Sequence, residues 1–332
     1  MQKKSRVWIA WEIQRRTLNL SGKLDAQRAI FDDEDRGFIR YPLSALKTLW
    51  VLWKYRGGLV FVQFPSMFLA ALACFMRPLL GYRLVVDRHT DFSLELMPQN
   101  GWKGWKDRLI LFLSAYTLRK ADLTLVTNSE MAADVEAKGG RSFVLPDPYP
   151  DFSPASPSSP KTPLEILFVS TWADDEPVLA AMDACRLLGA EARMYISGKM
   201  KQKFEKAAAS APSNFIPTGF LSDEKYFALM SRVDCVMAIT TRPSTLVCGA
   251  YEGISLGKPL LLGESRVLRE YFHQGALYTN GTAVDIADKL REFATRLPAL
   301  QEEILQFREQ SRRDWEKRLA VLNAILEKDS IT

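Results

Sequence analysis

Cys235–Gly263 reads CVMAITTRPSTLVCGAYEGISLGKPLLLG. The apolar run Cys235–Ile239 opens it as a buried strand. The loop Thr-Thr-Arg-Pro-Ser-Thr follows, a helix is expected from about Thr245 to Leu256, and Gly257, Lys258 and Pro259 end that helix and turn into the strand Pro259–Gly263. Two short apolar strands joined by a helix form a βαβ unit, the building block of parallel sheets. Working toward the N-terminus, strands Glu165–Val169, Ala192–Ser197 and Asn214–Pro217 alternate with helices near Glu176–Leu188, Met200–Ala209 and Ser222–Ser231. Earlier still, Val7–Trp11, Leu59–Phe64, Leu84–Asp87, Leu123–Thr127 and Ser142–Leu145 alternate with Pro42–Tyr55, Ser66–Leu80, Trp102–Lys120 and Ser129–Lys138. Short runs rich in Val, Leu and Phe are what strands covered on both faces by helices look like. The reading is α/β, with two doubly wound domains facing a cleft.

Between the two series lies PDPYPDFSPASPSSPKTP, Pro146–Pro163, too rich in Pro and Ser for a helix or a sheet interior. The expected organisation is a first domain over residues 1–150, a linker over 151–163, a second domain over 164–305 and a terminal helix over 306–332. That helix belongs to a charged segment, Asp285–Lys328, whose only breaker is Pro298. It either packs on its own domain or returns to the first.

Composition bounds the function. A chain of 332 residues with 47% hydrophobic and 25% charged residues has the mass for two cores, which excludes disorder over most of its length. The four cysteines are scattered without CxxC spacing, and with two histidines they exclude a zinc finger or a His-rich metal centre. Val7–Trp11 is too short for the apolar core of a secretion signal, and Leu59–Leu80, interrupted by Gln63, Pro65 and Arg77, splits into a strand and a helix, neither able to cross a bilayer. The expectation is a soluble, cytoplasmic chain. Residues 1–150 hold 22 Lys and Arg against 15 Asp and Glu, whereas residues 151–332 hold 22 against 24. A basic first half points to an anionic partner there.

Chemistry concentrates in the opening stretch. Free N–H groups at a helix start, with Arg242 and the hydroxyls of Thr241, Ser244 and Thr245, suit an anion. Glu252, seven residues past Thr245, lies two turns along the same expected face, where its carboxylate suits the two hydroxyls of a ribose. The bland alternative is a pair of solvated charges. This segment resembles the donor-binding motif of glycosyltransferase family four and its relatives, which have the GT-B fold of two Rossmann-like domains. Their pattern places a glutamate five residues before a glycine, with a proline and a strand close behind; Glu252, Gly257 and Pro259 reproduce it. RRDWEKRLAVLNAIL, around Trp315, is similar to the closing helix of these enzymes, in which a tryptophan precedes an amphipathic run. The likeness extends over nearly the whole chain.

The resemblance implies a nucleotide-sugar donor, UDP- or GDP-linked, held by Gly198, Lys199, Gly219, Thr241, Arg242, Ser244, Thr245 and Glu252, with no cofactor and no metal. Two departures stand out. The first glutamate of the family pair is replaced by Ser244, and the Arg and Lys that normally follow the first strand of the second domain are absent from Ser170–Glu176, STWADDE. That loop is similar instead to the loop of β-mannosyltransferases that extend chitobiosyl-diphosphate-dolichol.

In the first half, Val85–Asp91 reads VVDRHTD after a buried strand. His89 suits a general base, with Asp87 to orient it and Asp91 as rival base; the alternative is a loop histidine bonded to backbone. The segment resembles the Asp-x-His motif of the same enzymes. The loop Glu12–Leu24 offers Arg15, Arg16, Ser21 and Gly22 to an acceptor phosphate, with surface charge the equal alternative. In NGWKGWKDRLILFLSAYTLRK, Trp102, Lys103, Trp105 and Lys106 form either a membrane-interface pattern or a helix with core tryptophans. No nucleic-acid signature is present. The expected function is glycosyl transfer to a lipid-linked saccharide in bacterial surface polysaccharide assembly, peripheral at the inner membrane face. The rivals are a non-catalytic GT-B scaffold subunit and a nucleotide-sugar 2-epimerase.

Overall fold

The structure, a computed structural model, describes residues 5–32, 39–64, 66–89, 104–155 and 162–328. Asp91, Trp102 and Lys103 lie outside them, as does the side chain of Lys106. The chain divides into a first unit, Met1–Pro148 with Lys317–Thr332, and a second unit, Tyr149–Glu316.

In the first unit the described elements are β1 (Arg6–Ala10), α1 (Arg15–Lys23), β2 (Gln27–Ile30), α2 (Arg40–Lys54), β3 (Leu59–Phe64), α3 (Met67–Leu80), β4 (Arg83–Arg88), α4 (Gly104–Lys120), β5 (Leu123–Val126), α5 (Ser129–Ala137) and β6 (Ser142–Val144). The six strands are parallel, in the order β2-β1-β3-β4-β5-β6. Val7, Ile9, Val60, Val62, Leu84 and Val86 line one face and bury against Val51 and Leu52 of α2 and Leu69 and Ala73 of α3. Alternate residues turn to the other face, where Trp8 stacks on Phe61 with ring centroids 5.1 Å apart. The stretch expected as a loop, Glu12–Leu24, is largely helix. Leu20 is fully buried, and so are Thr17 and Ser21, so the burial of this face of α1 decides over its six polar or charged side chains. Strand β2 went unanticipated because QRAI lies at the sheet edge, exposed at Gln27 and Arg28, and carries no apolar run.

The second unit contains β7 (Leu164–Phe168), α6 (Val178–Leu188), β8 (Ala192–Ser197), α7 (Gln202–Ala208), β9 (Phe215–Gly219), α8 (Asp223–Arg232), β10 (Cys235–Ala238), α9 (Cys248–Ser255), β11 (Leu260–Gly263), α10 (Arg266–Tyr271) and β12 (Ala276–Thr279). Its strands are also parallel, in the order β12-β11-β10-β7-β8-β9. Helix α11 runs unbroken from Ala283 to Lys328, through Pro298, so the expected boundary at 305/306 falls inside it. Its first part closes the second unit's core with Ile286, Leu290, Phe293 and Leu297. Its end belongs to the first unit: Leu322 and Leu326 are buried, Arg6 Nη1 donates to Asn323 Oδ1 at 3.0 Å, and Arg83 Nη1 donates to the Leu326 carbonyl at 2.8 Å.

Candidate functional site

At the C-terminal end of β4, where open parallel sheets carry their reactive groups, Asp87 is completely buried. Arg16 of α1 reaches it with Nε at 2.9 Å from Oδ1 and Nη2 at 2.8 Å from the same oxygen. The rest of the guanidinium is engaged too: Nη1 lies 2.6 Å from Asp147 Oδ1, and Nη2 donates to the Leu145 carbonyl at 2.9 Å. Arg16 is therefore an internal counter-ion, which corrects its assignment to an acceptor phosphate. Burial alone pushes the Asp87 carboxyl up, but the Arg16 charge and then His89 outweigh it and hold the carboxyl below its usual range. For Arg16 burial opposes the charge, and Asp87 with Asp147 more than restores it.

His89, one residue past the strand, has its side chain 16% exposed and its Nδ1 3.5 Å from Asp87 Oδ2. That separation is an ion-pair distance rather than a formed hydrogen bond, and the buried Nδ1 has no hydrogen-bond partner in the described structure. Asp87 thus sits behind the imidazole, and the far nitrogen, Nε2, is the one left to meet a ligand. Gln63 pairs in register with Asp87, so both project from the same face of the sheet; its amide is fully buried, and among the described residues neither atom is hydrogen-bonded. Next along, Arg88 is buried over the Phe64 ring at 4.6 Å and donates to Ser114 Oγ at 2.9 Å, which ties β4 to α4. Of the remaining first-unit candidates, Arg15 and Gly22 are exposed on α1, whereas Ser21 is buried with its hydroxyl donating to the Leu18 carbonyl at 3.2 Å. Ser21 is thereby corrected from a ligand contact to a helix interior residue.

In the second unit the loop after β7 closes on its own carboxylate. Glu176 accepts from the Thr171 amide at 3.0 Å, the Ala173 amide at 3.0 Å, Ser170 Oγ at 2.6 Å and Thr171 Oγ1 at 3.2 Å. Trp172 makes this curl possible by adopting a left-handed φ of 57°, a conformation disfavoured for a bulky residue. What holds it is burial: the indole is fully covered, donates from Nε1 to the Ser197 carbonyl at 3.0 Å, and meets Phe204 and Phe215 edge-on. Gly198 follows β8 at φ 88°, and a Cβ there would stand 2.3 Å from the Ser170 carbonyl. The glycine is required by this close approach of the two loops. Lys199, next in sequence, is exposed.

Asp175 joins the β7 loop to the loop after β10. Its Oδ2 accepts from Thr240 Oγ1 at 2.6 Å and stands 3.3 Å from Arg242 Nε, while its carbonyl accepts from the Thr241 amide at 2.8 Å. Arg242, with its side chain 38% exposed, therefore carries a carboxylate partner within its own unit. The helix expected from Thr245 begins three residues later, at Cys248, because Arg242–Val247 stays a turn and an extended segment. Ser244 and Thr245 are loop residues, and Glu252 lies one turn, not two, into the helix. Gly249 and Gly253 set α9 directly on the sheet: a Cβ would meet Val169 at 2.8 Å or Leu260 at 2.8 Å. Glu252 is buried as a result, accepting from Tyr226 Oη at 2.6 Å. Gly219 ends β9 at φ 69° with open space around it.

Four partners were not legible as site residues: Asp147, Tyr226, Glu176 and Arg308. The last is buried on α11, donates from Nε to the Ser255 carbonyl at 3.0 Å and from Nη2 to the Phe152 carbonyl at 2.8 Å, and so holds the C-terminal end of α9 with a cation. A recess of about 510 Å³, lined by Arg186, Arg193 and Asn214 among others, opens at the N-terminal ends of β8 and β9, opposite the end that carries Glu176 and Arg242. Among the described residues no group of His, Cys, Asp or Glu is arranged to hold a metal ion, and no helix is long and apolar enough to cross a membrane. Trp105 is 71% exposed, which rules out a core position for it.

Residues 25–146 match the model of the glycosyl transferase 4-like domain. No curated protein matches the chain. Among solved structures it is similar to HepE of Anabaena in complex with UDP and glucose, at 13% identity and a TM-score of 0.72 over 97% of this chain and 91% of that one. HepE in complex with UDP-glucose gives 14% identity and a TM-score of 0.69 over 98% of each chain. Sucrose-phosphate synthase of Thermosynechococcus elongatus gives 13% identity and a TM-score of 0.71, covering 89% of this chain and 79% of that one. Two parallel six-stranded sheets interleaved with helices, a domain match confined to the first unit and a likeness running through both units make this chain a protein of the GT-B fold, similar to the glycosyltransferases that share it.

Proposed function

We propose that the protein is a glycosyltransferase that moves a sugar from a nucleotide-sugar donor to a lipid-linked saccharide acceptor in bacterial surface polysaccharide assembly, at the inner face of the membrane. The observation that carries the reading is the Asp87–His89 pair: a buried, charge-compensated carboxylate 3.5 Å behind an imidazole at the end of a parallel strand. In this reading His89 takes the proton of the acceptor hydroxyl as its oxygen bonds to the anomeric carbon and the nucleoside diphosphate departs with the electron pair of the broken bond. Asp87 stands behind the ring to orient it; Asp91 is the alternative base. The second unit takes the donor, with Glu252 on the ribose and with Arg242, Lys199, Thr241, Ser244, Thr245 and the positive end of the α9 dipole on the diphosphate. Gly198 and Gly219 shape the strand ends around it. The UDP and UDP-glucose bound by HepE support a uridine donor over a guanosine one. Charge on the departing diphosphate is offset by these groups rather than by a metal, so turnover persists in EDTA.

A second reading has one observation in its favour. Glu176 fills the amide groups of the β7 loop and Asp175 pairs with Arg242, so two anion-binding elements are already answered by carboxylates. That suits a non-catalytic GT-B subunit that scaffolds a partner. Calorimetric titration with UDP and GDP, followed by release of nucleoside diphosphate from UDP-sugars with and without acceptor, decides between them. Binding with release supports the transferase; no binding of either nucleotide discards it.

A further inference from the structure

The first unit turns an apolar face outward that no core explains. On α2, Leu46, Trp50 and Trp53 fall at spacings of four and three, one stripe of the helix, and are 65%, 62% and 58% exposed. The buried side of the same helix is Ser44, Thr48, Val51 and Leu52, so α2 is apolar both inward and outward. Helix α3 packs between α2 and α4 and presents Phe75 and Leu79, 66% and 72% exposed; α4 adds Phe112, 65% exposed. Tyr41 and Phe68 meet edge-on at 6.2 Å, so the stripes of α2 and α3 are continuous. Scattered exposed hydrophobics are ordinary; a run of large ones across three adjacent helices is a binding surface.

Charge selects the occupant. Helices α2, α3 and α4 together hold eight Lys and Arg and a single acidic residue, Asp107. The cations stand at the rings: Lys54 lies 5.5 Å from the Trp50 ring centroid and Arg56 lies 4.8 Å from that of Trp53. Exposed Trp beside Lys and Arg, with aliphatic and phenyl groups between, matches a headgroup layer, in which indoles sit at the interface and cations meet lipid phosphates. A protein partner would ask for some acidic or hydrogen-bonding side chains on this face, and neither α2 nor α3 has an acidic one.

We infer that the α2–α3–α4 face docks the protein on an anionic lipid bilayer surface, with Trp50 and Trp53 entering the interface and Phe75, Leu79 and Phe112 extending the apolar contact. This deepens the reading of a lipid-linked acceptor, but its observation belongs to the first unit alone, and its test does not use the transfer reaction. None of these side chains is in the proposed acceptor or donor machinery.

The test is co-sedimentation of the full chain with vesicles of phosphatidylglycerol and phosphatidylcholine, beside vesicles of phosphatidylcholine alone. Binding is expected to the anionic vesicles, to weaken as salt shortens the Debye length, and to be small on neutral ones. Trp50→Ser with Trp53→Ser should lower partitioning by about tenfold or more, since two exposed indoles leave the interface while the core is untouched. Lys47→Glu with Lys54→Glu, which spares the rings, should abolish the preference for anionic lipid. Circular dichroism and UDP titration of each variant separate lost docking from lost folding and from failure of the donor reading. No binding by the wild type, equal binding to neutral vesicles, or unchanged binding by the folded tryptophan variant overturns the inference. So does concentration-dependent self-association of the lipid-free protein that the tryptophan variant abolishes, which would assign the face to a second copy.

Discussion

The ends of β4 and β7 occupy comparable places in two sheets of similar design, yet they handle a carboxylate in opposite ways. At β4 the carboxylate is Asp87, fully buried and answered by a guanidinium from α1. At β7 it is Glu176, partly exposed and answered by backbone amides and hydroxyls of its own loop. A buried ion pair places a charge with precision but leaves an uncompensated ion if either partner goes. An amide nest holds an anion with local dipoles and tolerates its loss, because the freed N–H groups can turn to water. The first arrangement fixes a charge 3.5 Å behind the His89 ring; the second shapes a loop.

The largest effect should come from breaking the ion pair. Asp87→Asn leaves Arg16 buried with Asp147 alone, and unfolding free energy should fall by about 3 kcal/mol, the lower end of what loss of one buried partner costs. Urea unfolding measures it, and a loss well under 1 kcal/mol would contradict the assignment. The pH dependence has a definite sign. Because the folded-state carboxyl is held below its usual range, its stabilising contribution is complete above about pH 4 and is lost as pH falls through the depressed value. The gap between wild type and Asp87→Asn should therefore close in acid.

The next effect is catalytic. His89→Ala should lower turnover by roughly 10²–10⁴-fold with donor affinity near wild type, as expected for loss of a general base. Initial rates with UDP-sugar, paired with calorimetry, test this, and full activity would move the base to Asp91 or elsewhere. In the second unit, Glu252→Ala should weaken nucleotide binding by about 1.5–3 kcal/mol, the range for hydrogen bonds to a charged group. Unchanged affinity in a folded variant would return Glu252 to a purely structural pairing with Tyr226.

Smallest is the nest itself. Glu176→Gln keeps the shape and removes the charge, so protection of the Thr171 and Ala173 amides against hydrogen exchange should fall by about 1 kcal/mol, roughly fivefold, with the fold intact. Global unfolding of this variant would show that the two ends are built alike after all, and would erase the contrast.

Much of the fold was legible because buried parallel strands are unbroken apolar runs and the helices between them are long enough to read by period. Leu59–Phe64 coincides with β3, and Val7–Trp11 and Cys235–Ile239 differ from β1 and β10 only at their ends. Misreadings occurred where local pattern was weak. Helix α1 has few apolar residues and is held by the core beneath it, while β2 and β12 are edge strands of four residues. The start of α9 was misplaced because Pro243 and the hydroxyl residues beside it look like a helix start, whereas Val247 takes the cap position in extended backbone. The outward stripe of α2 was also missed. Its period-four apolar pattern reads as core on either side, and only the packed helix shows that Trp50 and Trp53 point away from it.

By itself the sequence determined most of the strand segments, that they form parallel sheets in two units, and that Asp87 and His89 stand at the end of a strand. Tertiary structure alone decided what those residues touch. Arg16 lies 71 residues from Asp87 and 131 from Asp147. No local periodicity links them; the order β2-β1-β3-β4-β5-β6 does, by bringing α1, the end of β4 and the segment after β6 to the same end of one sheet. Secondary structure follows from hydrophobic period, which is local, whereas a buried charge takes its partner from whichever chain segment the sheet's register delivers to it.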